Sequence, residues 1–82
     1  MVLVEVGVPS LRKKYDFKLD KYTSINDLID EICAIICQKE QSEVIVRTRD
    51  MLLSVVNKEI IMNNMYSLAD YNVVDGMELM LV

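Results

Sequence analysis

The chain has 82 residues, 52% of them hydrophobic, and carries 9 basic and 13 acidic side chains, a formal net charge of −4. This length fits a single domain over residues 1–82, and the charge disfavours nucleic-acid partners because no positive field gathers phosphates. The longest apolar run, Ile32 to Cys37, is far shorter than the ~20 residues that cross a bilayer, and no basic-then-apolar leader precedes it. We therefore expect a cytoplasmic protein that does not insert into membranes.

Two strands are predicted at the start of the chain. Valine occupies every second position in the first of them, at Val2, Val4, Val6 and Val8. The second alternates between apolar residues from Tyr15 to Leu19 and charged residues from Lys14 to Asp20. Such a period of two is typical of strands with one buried face, so the pair forms a hairpin with its loop near Pro9 to Lys13.

A helix is predicted to begin at Ile25. Ser24 followed by Asp27 approximates a capping box, in which the serine oxygen accepts a hydrogen bond from an early amide of the helix. The helical spacing of the next apolar residues predicts one buried stripe, formed by Ile25, Leu28, Ile29, Ile32 and Ile36. We expect the helix to end by about residue 42. Val44-Ile-Val46 fits either a late helix or a short strand.

The second half of the chain predicts short elements. Met51 to Val56 and Glu59 to Met62 fit two strands joined by a tight turn at Asn57-Lys58. Ser67 to Asp70 can form a single helical turn capped by Ser67. Asp75-Gly76 then turns the chain into a last strand, in which Leu79 and Leu81 face one way and Glu78, Met80 and Val82 the other.

Catalytic and metal chemistry find few candidate residues. The sequence has no histidine, and Cys33 and Cys37 have no partner cysteines elsewhere. We interpret both as reduced thiols, Cys33 flanking the packed face and Cys37 near solvent. We therefore predict no catalytic residue, no metal site and no cofactor.

Two short basic groups interrupt the acidic average, one from Arg12 to Lys14 and the other at Arg47 and Arg49. We interpret both as solvated turn or strand faces, because exposed lysine and arginine normally stay hydrated. An anionic surface on a partner is the alternative.

The order of elements, the capped helix, Val55-Val-Asn-Lys58 and Leu68-Ala-Asp-Tyr-Asn-Val73 together resemble a ubiquitin-like β-grasp. The predicted fold is α+β, with a mixed sheet of about four to five strands packed on one main helix in the order ββαββ, short helical turn, β. Within that superfamily the chain is similar to the YukD/EsaB-like group, small bacterial proteins encoded with type VII secretion systems. These also carry an Asp-Gly step like Asp75-Gly76.

The resemblance implies a non-catalytic accessory or regulator of type VII secretion that acts by binding proteins, among them components of the secretion machine. It implies no conjugation, because this group lacks a terminal Gly-Gly and a last residue held in a central strand could not reach an activating enzyme. Two alternatives stay open. The chain is the cytosolic ubiquitin-like domain of a larger secretion membrane protein, or it is a self-associating β-grasp module that forms a homo-oligomer.

Ubiquitin is recognised mainly through an apolar patch on the sheet face opposite its helix. Matching the turns of this chain to that fold places Ser54, Met80 and Val82 on the corresponding face. Ser54 departs from the family pattern, because ubiquitin has an apolar residue at the centre of the patch. The resemblance therefore implies that ubiquitin receptors are not partners.

Strand alternation predicts the same face independently, since side chains two apart on a strand point to the same side. The candidate protein-binding face comprises Leu52, Ser54, Val56, Met80 and Val82. The alternative is that these are scattered surface apolar residues, as on most proteins. The methionines at 51, 62, 65, 77 and 80 would suit an adaptable interface, although we expect most of them to fill the core.

Overall fold

The first two strands form an antiparallel hairpin. In the structure, a computed structural model that describes residues 1–40 and 50–82, β1 (Val2–Val8) pairs with β2 (Lys13–Leu19) along its whole length. A 3-10 turn over Pro9–Leu11 joins them, and Arg12 closes this turn with a left-handed backbone at φ 54°. The four predicted valines are buried, which confirms the inward face of β1.

The helix α1 (Ile25–Lys39) begins at the predicted residue because Ser24 caps it. The Ser24 hydroxyl accepts a hydrogen bond from the amide of Asp27 at 3.3 Å. The predicted stripe is fully buried, at Ile25, Leu28, Ile29, Ile32 and Ile36. Cys33 is also buried, and Cys37 is half-buried. The predicted helix end near residue 42 and the undecided stretch 44–46 lie outside the described residues.

Two of the later strands are shorter than the alternation predicts. β3 (Leu53–Val55) stops where the backbone winds into a 3-10 turn over Val56–Lys58. Glu59 then takes a left-handed conformation at φ 51°, so β4 (Ile60–Ile61) starts one residue late. The predicted turn at Asn57-Lys58 is confirmed.

The predicted helical turn before the last strand lies slightly further along the chain, at Ala69–Tyr71, with Leu68 as its N-cap. Ser67 does not cap it as predicted. Its amide and its hydroxyl both donate to the Asp70 carboxylate, at 2.9 and 3.1 Å, because that side chain folds back over the turn. Leu68, the residue before this turn, is buried in the core.

The last strand lies in the middle of the sheet. β5 (Glu78–Leu81) pairs in parallel with β1 and antiparallel with β3, so the strand order is β2-β1-β5-β3-β4. The buried side chains of the strands and of α1 form a single core, which places the helix on one face of the sheet, called here the inner face. The predicted mixed sheet on one helix is confirmed. No helix among the described residues has the length and apolarity needed to cross a membrane.

Candidate protein-binding face

The opposite, outer face of the sheet holds the candidate residues of β3 and β5. Leu53, Val55, Leu79 and Leu81 are buried in the core. Ser54 and Met80 alternate with them, so their side chains point to the outer face, where both are half-buried.

The strand register brings one row of outer-face residues together across the sheet. Met80 lies between Gly7 of β1 and Ser54 of β3, and Ser54 is paired in turn with Ile61 of β4. Lys14 of β2 is paired with Gly7 and completes the row. Met80 and Ser54 are therefore direct cross-strand neighbours at the centre of this face.

Leu52 and Val82 extend this face beyond the ends of β3 and β5. Their backbones exchange two hydrogen bonds of 2.9 Å, so the ladder continues by one residue pair. Val82 is 51% exposed, and Leu52 is half-buried. Val56 is placed differently, because it is the first residue of a 3-10 turn and strand alternation does not set the direction of its side chain.

Ile61 belongs to the same row and was missed in the sequence. Its side chain is 61% exposed beside Ser54, so it adds an apolar neighbour to the polar centre of the face. A signal existed, since a tight turn at Asn57-Lys58 predicts that the two strands flanking it pair. A two-residue turn at these positions also predicts the observed register, with Val55 opposite Ile60 and Ser54 opposite Ile61, so the sequence held the information needed to find Ile61.

The methionines divide between the core and the surface. Met62 is buried, and Met51 and Met77 pack against the core, as expected for filler. Met80 lies on the outer face, whereas Met65 is 85% exposed in the loop before the last 3-10 turn. The adaptable thioether of the candidate face is therefore that of Met80.

A charged cluster borders the apolar row on the side of β1 and β2. The Lys14 ammonium contacts Oε1 of Glu78 at 3.0 Å and Oε1 of Glu5 at 3.6 Å. The hydrogen bond to Glu78 raises the pKa of Lys14 above its ordinary value, and the same bond lowers the pKa of Glu78. These charges are solvated, so they form a polar rim and add little stability.

The chemistry of this face combines apolar and charged groups. It offers apolar groups, one hydroxyl and a charged border, which suit reversible contact with another protein. Within residues 1–40 and 50–82, no group of three histidine, cysteine, aspartate or glutamate side chains is placed to hold a metal ion.

The fold agrees with solved ubiquitin-like structures. The ubiquitin-like domain of the type VII secretion system protein EccD1 of Mycobacterium tuberculosis superposes with a TM-score of 0.70 at 21% identity, over 100% of this chain and 99% of that one. A ubiquitin-like domain from Arabidopsis thaliana gives 0.72 at 20% identity, over 99% and 74%. The ubiquitin of Caldiarchaeum subterraneum gives 0.71 at 12% identity, over 98% and 89%. At these identities the likeness shows the fold alone.

Sequence comparison gives a family. No curated protein sequence matches this chain. The family described as "WXG100 protein secretion system (Wss), protein YukD" matches residues 3–81, nearly the whole length. This match confirms the resemblance predicted from the turn motifs and the order of elements, and the chain therefore belongs to the YukD family of the WXG100 protein secretion system.

Proposed function

We propose that this protein is a cytosolic, non-catalytic accessory of a WXG100 secretion machine that binds a protein component of that machine through its outer face. The single observation that carries the proposal is the continuous row formed by Met80, Ser54 and Ile61, extended by Leu52 and Val82, on the face that α1 leaves uncovered. Family membership supplies the setting.

Clustering distinguishes this face from ordinary surface apolar residues. Single exposed apolar side chains are common on proteins, whereas a contiguous apolar strip rimmed by charges is typical of a contact site. Here Ile61 and Val82 expose more than half of their area, and the cluster of Lys14, Glu5 and Glu78 forms the rim. The flexible side chain of Met80 can adapt to a partner's shape.

The position of β5 also supports a binding role. The strand is hydrogen-bonded on both sides, to β1 and to β3, so its backbone is held in the sheet and its outward side chains are presented on a rigid base. Rigid presentation lowers the entropy lost on association. Binding therefore suits this strand better than a role that requires a mobile segment.

A second candidate function is favoured by one comparison. The superposition on the EccD1 domain covers essentially all of both chains, so this chain has the size and fold of a ubiquitin-like domain from a type VII secretion system protein. Reading the gene beyond the codon for Val82 distinguishes the two cases. An open frame that continues into apolar spans would favour the second.

Replacing Met80 with aspartate tests the binding function. In a strain that lacks the gene, we expect the wild-type chain to restore export of WXG100 proteins and Met80→Asp to fail, because a carboxylate at the centre of the row resists burial against a partner. The readout is the amount of exported protein in the medium, with co-purification of membrane components as a second measure.

Val74→Asp is the matched control, since Val74 is 60% exposed and lies in the loop before β5. It makes the same kind of change outside the outer face and should restore export. Normal export with Met80→Asp, or normal export in the deletion strain, would contradict the proposed function.

A further inference from the structure

Gly7 is the second-last residue of β1, paired on both sides, although nothing in the backbone requires a glycine there. Its φ does not lie in the left-handed range, in contrast to that of Gly76. A Cβ at this position would meet only the carbonyl oxygen of Leu79 at 3.7 Å and Cγ of Lys14 at 3.9 Å, which are ordinary contacts. Glycine weakens a strand interior relative to most residues, so local stability does not explain it.

The missing side chain leaves a depression on the outer face. A hollow of about 180 Å³ lies over Gly7, between Met80 on one side and Lys14 on the other, and Val8 and Pro9 also line it. Its walls are mostly apolar. This volume and lining suit one aliphatic or aromatic side chain of a partner.

The rim of this depression is basic. Arg12, Lys13 and Lys14 all line it. Lys14 forms ion pairs with Glu78 and Glu5. The Lys13 ammonium forms an ion pair with Oε1 of Glu40 at 2.8 Å. Arg12 forms no ion pair with any residue in the described parts of the chain, so within those parts its guanidinium is the rim cation that no carboxylate neutralises.

The backbone conformation of Arg12 is also energetically unfavourable for an arginine. Arg12 closes the 3-10 turn with φ 54°, a conformation that glycine or asparagine adopts with less strain than arginine. Gly7 and Arg12 thus share one property. At each, a different residue would serve the local backbone better, and both line the same depression.

From this juxtaposition we infer that the depression is the anchor point of the partner proposed above, and that it receives a large apolar side chain flanked by a carboxylate that pairs with Arg12. The inference rests on the proposed function and specifies it. A guanidinium binds a carboxylate through two parallel hydrogen bonds, and an adjacent apolar contact excludes water from them. The partner segment is therefore acidic and apolar rather than basic.

Selection of short random peptides on the intact wild-type chain tests the inference. We expect the enriched peptides to carry Asp or Glu within two positions of a large apolar residue. Their affinity should fall about tenfold or more on Arg12→Gly, because the charge-assisted hydrogen bonds to the carboxylate are lost, and at least as much on Gly7→Val, which narrows the depression. Exchanging the peptide acid for its amide should weaken binding to the wild type and leave binding to Arg12→Gly unchanged.

Two matched variants control for general effects. Glu59→Gly relieves a second left-handed residue, at the other edge of the sheet, and Lys18→Val makes a comparable strand substitution on β2 away from the depression. Both should bind the peptides like wild type. Urea unfolding should show Arg12→Gly and Gly7→Val at least as stable as wild type, and Gly7→Ala takes the place of Gly7→Val if valine prevents folding.

The inference is overturned if no peptide is enriched over an unrelated bait, if the enriched peptides lack the acidic and apolar pair, or if all variants bind equally. The export assay distinguishes failure of the anchor-point inference from failure of the proposed function. Loss of export with Met80→Asp but normal export with Arg12→Gly and Gly7→Val would reject the anchor point and keep the outer face. Normal export with Met80→Asp rejects the outer face itself.

Discussion

At the scale of single residues, the backbone of this chain depends on a few left-handed positions. Arg12, Glu59 and Asn72 adopt positive φ without being glycine, and Gly76 does so at φ 88°. Gly76 is where this conformation matters most for the sheet, because its amide donates to the Leu3 carbonyl at 2.8 Å while Oδ1 of Asp75 accepts from the Leu3 amide at 2.8 Å. The Asp75-Gly76 turn thus ties the approach to β5 onto β1.

Replacing Gly76 with alanine should therefore destabilise the protein through the backbone alone. A Cβ at this position has no heavy atom within 4 Å, so no clash contributes. The expected loss is about 1–2 kcal/mol of unfolding free energy, the cost of holding an L-residue left-handed. Urea unfolding measures it, with Glu59→Gly as the opposite change. An unchanged midpoint for Gly76→Ala would contradict this account.

The sequence predicted some of these positions and not others, for a physical reason. Asp-Gly is a typical turn pair and glycine tolerates positive φ, so the turn at Asp75-Gly76 was predicted from the sequence. Arginine and glutamate have no such preference, so the left-handed Arg12 and Glu59 could not be predicted. The left-handed Glu59 makes β4 start one residue late, whereas the pairing of Ile61 with Ser54 is the one that a two-residue turn at Asn57-Lys58 predicts.

At the scale of elements, one side-chain cluster joins the end of α1 to β2. The Glu40 carboxylate accepts from the Lys13 ammonium at 2.8 Å and from the Tyr15 hydroxyl at 2.5 Å. The pKa of Glu40 is lowered mainly by the hydrogen bond from Lys13 and, after it, by the hydrogen bond from Tyr15. The hydrogen bond to Glu40 raises the pKa of Tyr15 to about 12. The sequence predicted both elements but not this contact, since it depends on where they meet.

The cluster should make stability depend on pH at both ends of the scale. The folded-state pKa of Glu40 is lowered. Its contribution to the free energy of unfolding is therefore complete above the ordinary carboxyl pKa of 4.5, and it is lost as the pH falls through the pKa of the folded state. The folded-state pKa of Tyr15 is raised. Its contribution to the free energy of unfolding is therefore complete below pH 10.0, and it is lost as the pH rises toward about 12.

Comparing Glu40→Gln and Tyr15→Phe with the wild type over pH checks these signs. The stability difference between Glu40→Gln and wild type should be largest near neutral pH and shrink in acid. Ultraviolet absorbance of tyrosinate should show a step near pH 12 that Tyr15→Phe lacks. A difference that grows as the pH falls would contradict the assignment to Glu40.

At the scale of the whole molecule, one face of β5 packs in the core and the other belongs to the candidate protein-binding face. Its inward residues Leu79 and Leu81 belong to the core, and its outward Met80 lies in the candidate face. Alternation made this division predictable from the sequence. The strands that neighbour β5 were harder to predict from the sequence. The parallel pairing with β1 joins residues more than 70 positions apart, and no local pattern encodes it.

Adjacent substitutions on β5 should therefore have opposite consequences. Leu79→Ala removes a fully buried side chain from a strand paired on both sides, and it should cost about 2–5 kcal/mol of unfolding free energy. A domain of this size has only about 4–12 kcal/mol in total, so a large share is lost. Met80→Ala removes a half-buried side chain from the outer face and should cost about 1 kcal/mol or less.

Urea unfolding measures the stability of both variants. In the export assay, Met80→Ala should reduce export more than Leu79→Ala does when the two are compared at equal cellular abundance. Equal destabilisation by the two variants would show that Met80 supports the fold, and the outer face would then lose its claim to a separate binding role.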